Sequence, residues 1–326
     1  MFYIFVKNNL IMKYILSFCL MAFFLNSSLN AQNLLIKQER IEIEKSPKYS
    51  TFVSKFPFLD SINFYEITYL SDSLMINGHL VSPKRSGDFP AIIYNRGGNR
   101  EFGLNTLKKI VATGLAELAS EGYVIAMTQY RGNGGSEGTE EFGGADVNDV
   151  LNLIDVMSEI ENVDTSSIGM YGWSRGGIMT YSTLIQTNKI KAVVVGGGVS
   201  DSWDVLELRP GFEEHVYREL IPNYEENKSE ELDKRSAIKW VDKFPKNVPI
   251  LVLHGGSDGN VNPKQPLELS LKFNEFRIPH KLIIYEGDDH LLRNHREEAQ
   301  LEIEHWFKRY LSEEESTPDM NYRISK

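Results

Sequence analysis

Ser174 stands in the run Gly172-Trp173-Ser174-Arg175-Gly176-Gly177, a Gly-x-Ser-x-Gly pattern. That spacing suits a serine on a sharp strand-to-helix turn, where its hydroxyl is exposed above a sheet. Flanking side chains would clash in so tight a turn, hence glycine on both sides. The first N–H groups of the helix that follows then lie beside the hydroxyl, ready for a developing oxyanion. A serine hydroxyl is a weak nucleophile until a base takes its proton, and the base needs an acid to orient it. The chain offers one candidate for each in the order Ser, Asp, His. Asp258 lies in His254-Gly255-Gly256-Ser257-Asp258-Gly259-Asn260-Val261, and His290 closes Glu286-Gly287-Asp288-Asp289-His290.

Other readings compete at each position. Asp258 suits a turn, and His290 suits a capping role or a partner for a nearby carboxylate. His254 precedes Asp258 and so falls out of order as the base; it reads as a residue holding its loop. Asp288 and Asp289 are rival acids, but they adjoin His290 and cannot arrive on a separate loop. The ordered set outweighs these single readings. An oxyanion site needs two donors, expected from the backbone N–H of Arg175 and that of Gly98 in Arg96-Gly97-Gly98-Asn99. Arg96 is a candidate for a substrate carboxylate, with pairing to a surface acid as the alternative.

These residues need elements to hold them. Short apolar runs predict buried strands at 91–94, 123–127, 167–171, 191–195, 249–254 and 281–285. Helices are expected over 107–120, 145–160, 178–185, 266–276 and 296–311. Ile62–Leu70 and Leu74–Val81 alternate and predict an opening antiparallel hairpin. Repeated strand–helix units mean an α/β fold: a mostly parallel sheet with helices on both faces. Ser174, Asp258 and His290 each fall just beyond a predicted strand. Residues 200–244 break the alternation with clustered glutamates and two prolines, and read as a helical, cap-like insertion before the acid-bearing strand. The Gly-rich loop Tyr130–Ser136 reads as a substrate-side loop.

The chain has 326 residues, one cysteine and a formal net charge of −10. The acidity argues against nucleic acid as a partner. No phosphate loop and no metal-ligand spacing occurs, so neither cofactor nor metal is expected. Lys7 and Lys13 flank an apolar run, Tyr14–Leu25, too short to span a bilayer and followed by polar and small residues. This reads as a secretory signal over 1–31, cut after Ala31, with Met12 an alternative start and an uncleaved anchor the competing reading. Removal takes Cys19 with it and leaves a mature chain of charge −12, secreted or periplasmic, with no stable membrane span. Residues 32–61 read as an extension without clear period, 62–313 as the catalytic domain and 314–326 as a tail.

At these residues the chain resembles the catalytic domain of the prolyl oligopeptidase family, within the α/β-hydrolase fold. The resemblance rests on Tyr130-Arg131-Gly132, Gly172-Trp173-Ser174-Arg175-Gly176-Gly177, Ser236-Ala237-Ile238, His254-Gly255-x-x-Asp258-x-x-Val261-x-Pro263 and Asp289-His290. It implies Ser174 as nucleophile, Asp258 as acid, His290 as base, and acyl transfer to water through an acyl-enzyme. The implied substrates are small peptides or acylated amino acids. A carboxylesterase on the same three residues is the alternative, and a non-catalytic binding protein is a third reading. Two departures stand out. The residues between Ala31 and Ile62 are too few for a propeller blade, which larger family members carry in front of this domain. The family's His-Gly-Gly-Pro-like loop is Arg96-Gly97-Gly98-Asn99 here. The oligomeric state is not legible.

Overall fold

The computed structural model describes residues 33–321. The region expected to be a secretory signal lies outside the described residues.

Among the described residues nine strands form one sheet, in the order β1-β2-β3-β5-β4-β6-β7-β8-β9. Strands β2 (Ile62–Ser71) and β3 (Leu74–Pro83) are the expected hairpin. Asp72 and Ser73 join them with φ of 51° and 68°. Two positive φ values match the twist of a two-residue hairpin turn. From β4 (Phe89–Asn95) onward the sheet is parallel, through β5 (Val124–Thr128), β6 (Val163–Trp173), β7 (Ile190–Gly196), β8 (Ile250–Gly255) and β9 (His280–Tyr285).

Alternation along each strand feeds two cores. Ala91, Ile93, Val193, Val195, Ile250 and Val252 face one side. There they meet α4 (Val147–Val156), α5 (Gly176–Leu184) and α8 (Lys264–Phe276). Ile92, Tyr94, Ala192, Val194, Leu251 and Leu253 face the other. That side is covered by α2 (Leu107–Ala112), α3 (Leu115–Glu121) and α9 (Arg296–Phe307). Burial on both faces explains why these strands read as unbroken apolar runs.

Two differences from the sequence reading have physical causes. Residues 32–61 are not featureless: β1 (Leu35–Ile41) pairs antiparallel with β2 at the sheet edge, and α1 (Tyr49–Lys55) follows. Most of β1 is exposed, so no alternation marks it. The helix expected over 107–120 breaks between α2 and α3. Gly114 sits there at φ 78°, and a Cβ on it would lie 2.2 Å from Gln300 Oε1. The last helix meets its expected span: Arg296–Phe307 is α-helical and continues as a wider helical turn over Lys308–Ser312.

The insertion after β7 is helical, as expected. It contains α6 (Ser202–Leu208), N-capped by Asp201, whose Oδ1 accepts from Trp203 N at 3.0 Å. It also contains α7 (Tyr224–Lys234), and a small core of its own with Val205, Val216, Tyr217, Tyr224 and Leu232 against Phe142.

Strand order decides where a site can form. From β4 the chain crosses to β5 on one side and then to β6 on the other. The crevice between the loops after β4 and β6 is the topological switch point, the expected ligand position of an open α/β sheet.

Candidate active site

The loop after β6 carries Ser174, whose φ is 59°. A non-glycine residue in the left-handed region is strained by roughly 1–2 kcal/mol. Three backbone hydrogen bonds hold it there. Ser174 N donates to Gly196 O at 3.0 Å, and Ser174 O accepts from Gly177 N at 2.8 Å and Val199 N at 3.1 Å. The glycines leave no alternative. A Cβ on Gly176 would lie 2.0 Å from Asn95 O, and one on Gly172 would lie 2.3 Å from Gly176 O.

The loop after β8 carries Asp258 and the loop after β9 carries His290. His290 Nδ1 donates to Asp258 Oδ2 at 2.7 Å. A carboxylate only accepts, so the proton sits on Nδ1 and the Nε2 lone pair is free. The other oxygen, Asp258 Oδ1, accepts from Asn260 N at 2.7 Å and Val261 N at 3.0 Å. Burial alone would raise this carboxyl. Hydrogen bonds from His254, His290 and the Val261 N–H outweigh it and hold the group well below the usual carboxylate range.

Ser174 and His290 line one cavity of about 790 Å³ with Gly97, Gly98, Arg175, Phe102 and Leu291. A Cβ on Gly97 would lie 2.9 Å from Ser174 Cβ, and one on Gly197 would lie 3.2 Å from His290 Nδ1. Among the described residues no hydrogen bond joins Ser174 Oγ to His290. The structure thus binds Asp258 to His290 directly and brings Ser174 to the same cavity wall.

Gly98 and Arg175 both face this cavity, and among the described residues neither N–H has an acceptor in the chain. The two residues are tied together: Arg175 Nη1 donates to Gly98 O at 3.1 Å. The same guanidinium pairs with Glu140 and Asp146, all three buried. It lies over the rings of Tyr130 and Phe142, at 4.8 and 4.6 Å from the centroids. Glu140 and Asp146 carried no motif in the sequence. Their role emerges only when the loop Tyr130–Asp146 folds under the Ser174 turn.

Arg96 does not line this cavity, and among the described residues it makes no ion pair. Its side chain is fully buried. Nε and Nη2 donate to Gln129 O at 3.1 and 2.8 Å, Nη1 to Phe102 O at 3.2 Å and Nη2 to Arg100 O at 3.2 Å. Its donors hold the loop after β4 in shape. The loop Tyr130–Ser136 is not substrate-side either, since none of it lines the cavity. It braces the same Arg96 loop: Tyr130 Oη donates to Arg96 O at 3.2 Å, and Gly134 N donates to Glu101 Oε1 at 3.0 Å.

The rival residues are also accounted for. Asp288 is buried and accepts from Asp289 N, Asn294 N, His295 N and His295 Nδ1, fixing the turn that presents His290. Asp289 pairs with Arg293. His254 does hold its loop, with Nε2 donating to Val261 O at 2.9 Å. The sequence reading missed a second contact: the same Nε2 lies 3.2 Å from Asp258 Oδ2.

A family model described as the prolyl oligopeptidase family matches residues 111–314. The chain belongs to the prolyl oligopeptidase family. By that membership it is a serine-type peptidase hydrolase. The uncharacterized peptidase YtmA of Bacillus subtilis is 32% identical over 219 residues, covering 67% of this chain and 82% of that relative. Acylamino-acid-releasing enzyme 1 of Oryza sativa is 26% identical over 252 residues, 71% of this chain but 31% of the enzyme. The acylaminoacyl peptidase of Pyrococcus horikoshii superposes with a TM-score of 0.69 at 24% identity, over 83% of this chain and 45% of that one. That likeness shows the α/β-hydrolase fold. The chain spans less than half the length of the last two relatives.

Proposed function

We propose that this prolyl oligopeptidase-family chain hydrolyses short peptides or acylated amino acids through Ser174, His290 and Asp258. The hydrogen bond from His290 to Asp258, with a strained Ser174 on the same cavity wall, is the observation that carries this reading. His290 Nε2 takes the Ser174 proton as Oγ bonds to the substrate carbonyl carbon. The carbonyl oxygen becomes an oxyanion, held by the N–H groups of Gly98 and Arg175. Each such donor is typically worth about 3–4 kcal/mol in the transition state. The protonated His290 then gives its proton to the leaving amine, the C–N bond breaks, and an acyl-enzyme remains. Water, deprotonated by His290, releases the acid and restores Ser174. The Ser174–His290 hydrogen bond closes when substrate arrives, as is common where the free site is looser than the occupied one.

The similarity to acylamino-acid-releasing enzymes supports acylated amino acids as substrates. Rates on N-acyl-aminoacyl nitroanilides and p-nitrophenyl esters, with Ser174→Ala as control, test this. Amide cleavage that disappears in the variant is expected. Ester cleavage alone would leave a carboxylesterase instead.

We further propose export, on the basic and apolar pattern of residues 1–31. Sequencing the amino terminus of the exported protein should begin at Gln32. Retention of the intact chain inside the cell would overturn this.

A further inference from the structure

The cavity wall beside Ser174 carries cations that the catalytic reading does not use. Lys109 on α2 and Arg296 on α9 both line it. Their placement follows from the fold. Both helices cover the same sheet face, and both begin at the C-terminal edge of the strands, where Ser174 sits. The end of α2 meets α9 at Gly114 and Gln300, with Gln300 Nε2 donating to Gly114 O at 3.5 Å. Lys109 is one turn before Thr113, and Arg296 is one turn before Gln300. Stepping back one turn on each helix moves both side chains toward the catalytic rim.

Neither cation is neutralised. Lys109 Nζ donates to a carbonyl, Gly103 O, at 2.5 Å. Arg296 has no ion pair among the described residues, and neither does Lys109. Glu117 feels the charge of Arg296 only from beyond ion-pair distance. Glu304 accepts the Gln300 amide at 2.9 Å. The acid on the cavity wall, Asp289, is taken by Arg293. Burial, with a smaller push from Arg96, pulls the Lys109 ammonium down to about 8, the mark of a cation lacking a counter-charge. The chain carries a net charge of −10, so this cationic wall runs against its overall balance.

We propose that Lys109 and Arg296 form an anion subsite that takes a carboxylate of the substrate. The carboxylate is either the free C-terminus or an acidic side chain of a short peptide. The subsite rests on the hydrolase reading for its purpose, but its binding does not need catalysis. Lys109 is half-buried and Arg296 is exposed at the cavity rim, so the two cations would act on a carboxylate there as charge-assisted donors at a partly solvated site.

Binding to the Ser174→Ala chain, measured by calorimetry, separates the two readings. Acetyl-Ala-Ala-Ala with a free carboxylate is compared with its C-terminal amide, and acetyl-Ala-Glu-Ala amide with its Gln counterpart. At least one acidic peptide should bind about tenfold or more tightly than its neutral partner, the range of one charge-assisted hydrogen bond. The pair that shows the difference identifies the source of the carboxylate. Added salt should shrink the difference, and Arg296→Gln or Lys109→Gln should each remove most of it. Equal binding within both pairs would overturn the subsite, as would a preference that survives both substitutions. Loss of hydrolysis with the carboxylate preference intact would count against the catalytic reading alone.

Discussion

His290 Nδ1 lies 2.7 Å from Asp258 Oδ2, although the two residues sit on loops after different strands. The contact fixes the imidazole tautomer of a side chain that lines the same cavity as Ser174. Asp258→Asn keeps the shape but offers an amide, which can donate and so favours the wrong tautomer. The variant should lose about 10³–10⁴-fold in kcat with a small change in KM. Steady-state kinetics on an acyl-aminoacyl nitroanilide checks this; a loss under tenfold would remove Asp258 from the relay.

The same carboxyl predicts a pH dependence of stability. Its folded pKa lies below its unfolded one, so ionised Asp258 adds stability above the ordinary carboxylate range. That contribution fades as pH falls through the unfolded value of about 4 toward the lower folded value. Thermal unfolding of the parent chain and Asp258→Asn should therefore differ most near neutrality and converge on acidification. A gap that widens below pH 4 would contradict the assignment.

His254 Nε2 reaches both Val261 O and Asp258 Oδ2 from a fully buried position. It acts through Asp258 and is a positioning residue. His254→Ala should lower kcat by about tenfold or more and cost about 1–3 kcal/mol for the unsatisfied groups it leaves. His254→Gln, which restores a donor, should recover part of both. Equal loss of stability with kcat untouched would leave His254 a purely structural residue.

Arg175 joins the Ser174 turn to Glu140, Asp146 and Gly98 O. Arg175→Met strands two buried carboxylates and should destabilise the chain by about 3–5 kcal/mol. The triple change Arg175→Met, Glu140→Gln, Asp146→Asn should recover much of that stability without restoring kcat, because Gly98 loses its tether. Denaturant unfolding and kinetics measure the two effects separately. Full recovery of kcat in the triple variant would show that the tether is dispensable.

How far the sequence speaks depends on what each residue has to bury. Strands β4 to β8 are buried on both faces, so their apolar runs stand out in the chain. The turn at Ser174 is legible because close backbone approach at Gly172 and Gly176 excludes every side chain. Asp258 is legible because it follows such a strand; His290 follows β9, which is only half-buried but keeps the apolar run Leu282–Tyr285. Strand β1 is hidden because it buries almost nothing; Lys37, Gln38 and Glu39 are free to be polar. The break at Gly114 depends on Gln300, nearly two hundred residues away in the chain. Arg96 misleads because its partners are backbone carbonyls, which no residue type announces. Glu140 and Asp146 look like surface acids until Arg175 is placed between them.

Arg96→Ala gives a check on that correction. If the side chain holds the loop after β4, its removal should lower kcat and the unfolding temperature together, for carboxylate-bearing and neutral substrates alike. A selective rise in KM for acidic substrates would instead return Arg96 to the substrate.

Covalent labelling asks directly whether Ser174 is the nucleophile. The chain is treated with a fluorophosphonate and the adduct is mapped by peptide mass spectrometry. One adduct is expected, on Ser174, absent from Ser174→Ala and slow to form in His290→Ala. An adduct on another serine, or labelling that persists in Ser174→Ala, would contradict it.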